Sequence, residues 1–572
     1  MLMKKRLLAI LGTVTVVAAA CGSSTASTAP STAPSAGASA VVSAAPTSNL
    51  AADQIFHIDL GTEPPTLDPN KAQDSTSIAV LHAINRGLVY FDKDLKVVPE
   101  LADSYEVSTD AKTITFHLKS GIKYSNGDPI VAGDFVYGWK RLVDPRTAAP
   151  YSYVMGDVVG GSELLAMAGA DPAPTDADID AALAKLGVAA PDEATFVVTL
   201  ATPATYFLSV AALWIGVPVE KSWITSPNAT EAANYVGSGP FILDTWEHNS
   251  SIVLKPNPQW GGTKPTLTEI DMSMTAEPAT AQAAYEAGAL DMVATPSEDS
   301  RRVGDDPVLS KEIVDIPQLA ITYYVYNNKS APTSNKNLRI ALTQSINKQE
   351  FIDTTFAGLG VPANSFIMPG IPGYQKDLDP YPYDPAAAKE HMATALTELG
   401  VASAKDLGKL KFGFNSGSGH EPRVAYLAEQ WNKTLGLDFE QIGLDFAVFL
   451  PRRTAGDFSV ARDGWGADYP HANNQLNGLF TCGGGNNDSQ YCNADFDALI
   501  KQAAAEPDQD KQVALYNQAQ TILMNDAAML PLRFGVTRFE VKPYVSGYLS
   551  TPSDAQLPGD LFYETISILK HD

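Results

Sequence analysis

The sequence predicts an α/β protein built in several lobes, and three observations carry that expectation. Segments of strand character alternate with segments of helical character along the whole chain, the pattern of mixed sheet-and-helix architectures. No fixed-period repeat runs through it. Roughly 520 residues follow a low-complexity N-terminal stretch, more than a single hydrophobic core organises.

The N-terminus comes first. Lys4, Lys5 and Arg6 precede an apolar run from Leu7 to Ala20, and Cys21 follows three alanines. The run is shorter than the ~20 residues of a membrane span, so residues 1–21 read as a secretory signal. A cysteine directly after small residues reads as a lipoprotein cleavage site, at which Cys21 becomes the lipidated end of the mature chain. An uncleaved anchor is the alternative, and Ala18 stands where such sites usually carry Leu. Residues 22–52 are almost entirely Ser, Thr, Ala, Pro, Gly and Val. Such a segment cannot bury enough apolar surface to offset its ordering entropy, so a flexible linker is expected. Its reach is on the order of 30 Å. Two acyl chains on Cys21 would hold the folded part stably at a membrane. The expected location is therefore extracytoplasmic, anchored to the cell membrane.

The folded part begins with strands. Thr113 to Leu118 alternates, with Ile114, Phe116 and Leu118 on one face. Thr195 to Leu200, Ser251 to Leu254 and Ile321 to Tyr326 are rich in β-branched and aromatic residues and read as further strands. The stretch ADPAPTDADIDAALAKLG reads as a capped helix start; the glycine and closing Glu of a calcium loop are missing. Asp384-Pro385 starts a helix that runs to Leu399 and stops at Gly400. Val424 to Leu435 is amphipathic and stops at Gly436, and Lys511 to Met524 carries apolar residues at helical spacing.

Composition excludes several classes of function. Apolar content of 45% and charged content of 18% are those of an ordinary globular chain. The formal charge is −25, or −28 once the three cations Lys4, Lys5 and Arg6 are removed. An acidic surface argues against nucleic acid, which demands basic patches, and leaves room for a cationic ligand group. Cys482 and Cys492 flank CGGGNNDSQYC and read as a local disulfide. Zinc is the competing reading, but His471 has no partner at ligand spacing. Neither G-x-S-x-G nor a Walker A loop is present. No enzyme, metal or cofactor is expected.

Several motifs in series then carry a resemblance. EPPTLDPN begins at Glu63, PELADSYEVSTDAKTITFHLKSGIKYSNGDPIVAGDFVY at Pro99, and GWKRLVDPRTAAPYS follows it. YVGSGPFIL begins at Tyr235, NLRIALTQSINKQEFI at Asn337 and SVARDGWGADYP at Ser459. In order and spacing these resemble the extracytoplasmic solute-binding proteins of family 5, the oligopeptide-binding proteins of ABC importers, over about residues 55–572. The resemblance implies a two-lobed periplasmic-binding-protein-like (type II) fold with a third domain and a ligand cleft between lobes. Lobe I would take 53–87, 191–320 and 536–572, domain II 88–190, and lobe III 321–535. Hinges would lie near 320 and 536. The implied partners are a peptide ligand, the ABC permease and its separate ATPase, with the binding protein a monomer.

The resemblance also assigns roles. Asp468 would accept the ligand's α-ammonium, which needs an ionised acceptor once out of water; a turn or capping role is the alternative. Gly464 and Gly466 would leave backbone open to a peptide main chain, and Trp465 would offer a flat wall or else sit in the core. Tyr151 would meet the ligand backbone from domain II. Arg453, Arg462 and His420 would help bind the far carboxylate, or serve as structural pairs and a loop histidine. There are departures. The best-known member has a lysine where this chain has Phe356, a glutamate where it has Tyr326, and a cysteine pair where it has Gly466 and Ile321. These leave peptide length and side-chain preference open. Members of the family also bind dipeptides, nickel complexes and sugars, so another solute remains the alternative cargo.

Overall fold

The computed structural model describes residues 49–416, 419–444, 446–553 and 557–571. Cys21, the signal segment and most of the linker lie outside the described residues. The packed chain is already tied down at Asn49, within the last residues of the stretch read as linker. Ala51 N donates to Ile568 O at 2.8 Å, and Lys570 N donates to Asn49 O at 2.9 Å.

Strands and helices are mixed, and two sheets organise them. The larger has eleven strands. Its path runs Asp438–Leu444, Lys409–Asn415, Val460–Gly466, Ile313–Tyr326, Met529–Val541, Met292–Ala294, Ile55–Asp59, Glu269–Ser273, Ser251–Pro256 and Phe241–Glu247, with Val361–Pro362 added on Met529–Val541. The smaller joins Ala102–Val107, Thr113–Leu118, Thr195–Thr199 and Val188–Asp192.

The smaller sheet shows why its residues fold as they do. Ile114 and Phe116 are fully buried, as the alternation demands, and meet Val198 and Phe196 across the ladder. The helix Ala132–Val143 lays Phe135 and Trp139 on this face, their rings 5.8 and 5.1 Å from that of Phe196. Each such ring contributes roughly 2–3 kcal/mol by burial. Asp134 starts the helix by accepting from Val131 N at 3.0 Å.

The helix His420–Leu435 buries Val424, Leu427, Trp431 and Leu435, with Trp431 against Phe412 and Phe439 of the large sheet. It ends at Gly436, whose φ of 70° is the left-handed turn a side chain resists. It begins one turn before its apolar periodicity does, which puts His420 in its first turn.

The two longest strands, Ile313–Tyr326 and Met529–Val541, pair antiparallel in two stretches. One runs from Ile313 opposite Glu540 to Pro317 opposite Val536, and the other from Ile321 opposite Phe534 to Val325 opposite Met529, with a register shift between Thr322 and Tyr323. The ladder breaks between Pro317 and Ile321. Proline has no N–H to give a ladder, which accounts for a break there.

Arg86 is a buried cross-tie. It donates to Leu561 O at 2.9 Å and to both oxygens of Glu564, with Glu100 3.8 Å from its Nε. Among the described residues, no helix is long and apolar enough to cross a membrane. None of their His, Cys, Asp and Glu side chains form a metal-binding cluster.

Candidate functional site

The strand Val460–Gly466 supplies the site. Along one edge it pairs with the long strand, from Val460 opposite Tyr326 to Gly466 opposite Ala320. Along the other it meets Lys409–Asn415 only at Val460 and Ala461. From Arg462 to Gly466 that second edge has no strand partner among the described residues. An unpaired edge is a template for another extended chain. The glycines keep it bare. A methyl group at Gly464 would stand 3.3 Å from Ile321 O, and one at Gly466 would meet nothing within 4 Å.

Beyond the strand the chain is pinned as Ala467 N donates to Leu319 O at 2.8 Å, and Asp468 follows, half-buried. Asn474 fixes it. The Asn474 amide donates to Asp468 Oδ2 at 2.9 Å, and Asn474 Oδ1 accepts from Asp468 N at 3.1 Å. The same oxygen accepts the Trp465 indole N–H at 2.8 Å. One asparagine thus orients both the carboxylate and the tryptophan. Asn474 is held in turn by the helix Ala472–Phe480, which His471 caps by accepting from Asn473 N at 3.1 Å.

Asp468 borders two cavities. One of about 290 Å³ is lined by Gly466, Asp468, Tyr151, Trp214 and Gln318. The other, of about 280 Å³, is lined by Asp468, Trp465, Tyr153, Tyr206 and Asn474. Tyr151 stands edge-on to Trp214 at 4.8 Å and 5.5 Å from Tyr153. Burial, then the charge of Asp468, pushes the hydroxyls of both tyrosines up in pKa. Sequence reasoning missed Tyr153, two residues beyond Tyr151, and Asn474.

The remaining residues separate. Arg453 is bound on both sides: Nη1 lies 2.6 Å from Asp463 Oδ1 and Nη2 2.6 Å from Asp488 Oδ2. Both aspartates are buried, so its charge is already matched. Burial pushes Asp463 up to about 6 against the pull of Arg453. Asp488 comes from the loop closed by the Cys482–Cys492 disulfide, whose Cα atoms are 4.6 Å apart. That loop therefore braces the site strand, with Thr454 Oγ1 also donating to Asp488 at 2.7 Å.

Arg462 leaves the opposite face of the strand from Asp463, by alternation. It has no ion-pair partner among the described residues, and burial pushes its pKa down. His420 lies near it. Burial, then the charges of Arg462 and Arg423, hold the imidazole down at about 4. It is neutral at neutral pH and meets a carboxylate as an N–H donor, not as a cation. The structure thus brings Tyr151 and Gly466 to one cavity beside Asp468 and Trp465 to the other, with Gly464 on the strand between Arg462 and Gly466. Arg462 and His420 form a second group, and Arg453 is tied to the disulfide loop.

Comparison with known proteins gives a consistent picture. The model of the bacterial extracellular solute-binding proteins, family 5 (middle region), matches residues 96–487. The oligopeptide-binding protein OppA of Bacillus subtilis is 31% identical over 494 residues, 84% of this chain and 87% of that one. A probable deoxycholate-binding periplasmic protein of Escherichia coli, YgiS, is 30% identical over 517 residues, covering 90% and 94%. The unliganded open form of the periplasmic murein tripeptide-binding protein MppA, 27% identical, superposes with a TM-score of 0.80 over 91% of this chain and 99% of that one. A second structure of the E. coli murein tripeptide-binding protein gives 0.66. The unliganded open form gives the higher of the two scores.

Proposed function

We propose, from the premise that the chain belongs to the bacterial extracellular solute-binding proteins of family 5, that it captures short peptides between two closing lobes and delivers them to a membrane permease. One observation carries the reading: the bare edge from Arg462 to Gly466 runs directly to a carboxylate, Asp468, that Asn474 holds in place. A peptide main chain could add to that edge as a strand, which reads backbone and tolerates many side chains. Its α-ammonium would then meet Asp468. Neither charge tolerates burial alone, so the pair forms as the cleft shuts around the ligand. Closure is a population shift, driven by tighter binding to the shut form. The domain division expected from the sequence fits this reading. The ladder break between Pro317 and Ile321 supports a hinge near 320 and 536. A lipidated Cys21 and the linker would keep the lobes near the permease.

A second reading has specific support, because one relative is named for deoxycholate, which carries no amine. Calorimetric titration separates the two. Alanine tri- and tetrapeptides with free amines should bind, and their N-acetylated forms should bind at least about 100-fold more weakly. Equal affinity for both forms would refute the role of Asp468. Binding of deoxycholate with no binding of any peptide would refute the cargo.

A further inference from the structure

We propose that Asp157 selects peptides whose first residue carries a basic side chain, which enters the cavity of about 280 Å³ beside Asp468. The inference rests on the peptide reading above and deepens it by naming a class of cargo. The placement follows from the two cavities that Asp468 borders. Gly466, at the end of the bare edge, lines one of them together with Tyr151. A main chain that lies on the edge with its α-ammonium at Asp468 runs past that cavity. The other is walled by the side chains of Trp465, Tyr153, Tyr206 and Tyr469. The α-carbon of the first residue is bonded to the ammonium nitrogen, so its side chain starts beside Asp468 and has this second cavity to fill. The cavity far exceeds the ~30 Å³ share of one water and takes a long side chain.

The lining is aromatic and acidic, and no Lys, Arg or His is among its described residues. The rings of Tyr206 and Tyr469 stack nearly parallel with centroids 6.1 Å apart, and the Tyr469 hydroxyl donates to Asn473 Oδ1 at 3.2 Å. Such faces hold the apolar stem of a long side chain and attract a cation at its end. Asp157 supplies the opposite charge. It ends the short helix Ser152–Asp157, and the Tyr206 hydroxyl donates to its Oδ2 at 2.8 Å. Its Oδ1 accepts no hydrogen bond, and its carboxylate has no ion-pair partner, among the described residues. Burial pushes its pKa up, against the pull of the bond from Tyr206.

The two carboxylates at this cavity divide the work. Asp468 meets the α-ammonium. Shutting the cleft takes water from Asp157 as well, and a buried charge without a partner is costly. A basic first side chain matches that charge. A neutral one leaves it alone, and an acidic one sets two like charges together. The order of preference is therefore basic, then neutral, then acidic.

Calorimetric titration of the full chain tests this with the tripeptides Lys-Ala-Ala, Arg-Ala-Ala, norleucyl-Ala-Ala and Glu-Ala-Ala. Norleucine keeps the lysine stem and lacks its charge. A basic first residue should bind about 10- to 100-fold more tightly than norleucine, the range of a hydrogen bond to a charged group, and Glu should bind most weakly. In Asp157→Asn, checked for folding by circular dichroism, the preference for a basic residue over norleucine should shrink to less than about threefold. Equal affinity of the wild type for the lysyl, arginyl and norleucyl peptides would overturn the inference without any variant. A folded Asp157→Asn chain that keeps the full preference would overturn it too. Both results leave the amine contact at Asp468 standing. Failure of every peptide to bind, tri-alanine included, would overturn the functional reading and this inference together.

Discussion

Replacing Asp468 with Asn keeps the side chain's size and removes its charge. At an effective permittivity of 20, an ammonium about 4 Å from a carboxylate gains roughly 4 kcal/mol, part of which desolvation offsets. Hydrogen bonds to charged groups contribute about 1.5–3 kcal/mol net. Local geometry pushes the substitution toward the upper end. The Asn474 amide donates to Asp468 Oδ2 at 2.9 Å, and an asparagine at 468 would meet it with its one carbonyl oxygen. Its own NH2 would then point where the ligand's ammonium belongs, a donor facing a donor. The expected loss is about 3 kcal/mol, or roughly 150-fold in Kd. Calorimetry with tri-alanine measures it directly. The urea midpoint should stay near that of the wild type, because the bond from Asn474 survives. A change of less than about threefold in Kd, in a folded variant, would refute the reasoning.

Other perturbations test the frame around the site. Arg86→Met leaves Glu564 and Glu100 without their buried partner, so unfolding free energy should fall by about 3–5 kcal/mol; an unchanged urea midpoint would contradict that. His420 and His471 are both held at about 4 in the folded chain, below the ordinary 6.5. The unfolded chain therefore takes up protons first. The stability these neutral imidazoles contribute is present above about pH 6.5 and lost as pH falls toward 4. Asp463, raised to about 6, acts in the opposite sense below that pH. The urea midpoint should be lower at pH 5 than at pH 7, and His420→Gln should narrow the gap. A gap that stays the same in the variant would remove His420 from the account.

What was legible in the sequence was local. The alternation of Thr113–Leu118 gave a strand with those bounds, and Pro385 and Gly400 bracket the helix Pro385–Leu399. The site segment could be read from its motif, although VARDGWG has too few apolar residues to show a strand period. Contacts between distant parts of the chain were not legible. Nothing in the spacing of Asn474 marks it as the residue that orients Asp468 and Trp465, because its role depends on how the following helix docks. Arg453 reads either as a contact to the far carboxylate or as a structural pair, and nothing in the sequence marks Asp488, brought by the disulfide loop, as its partner. The early start of the helix His420–Leu435 follows a glycine and breaks no apolar pattern, so its first turn carried no signal. Pro317 was visible, but the ladder it interrupts belongs to a strand more than two hundred residues away.

The central claim is that a peptide's amino end is met by Asp468 inside a closed cleft. A crystal structure of the protein grown with tri-alanine tests this most directly. It should show the lobes shut, the peptide main chain along Arg462–Gly466, and the terminal nitrogen within hydrogen-bond distance of the Asp468 carboxylate. A peptide bound elsewhere, or bound with its amine in solvent and Asp468 bonded to Asn474 alone, would contradict it.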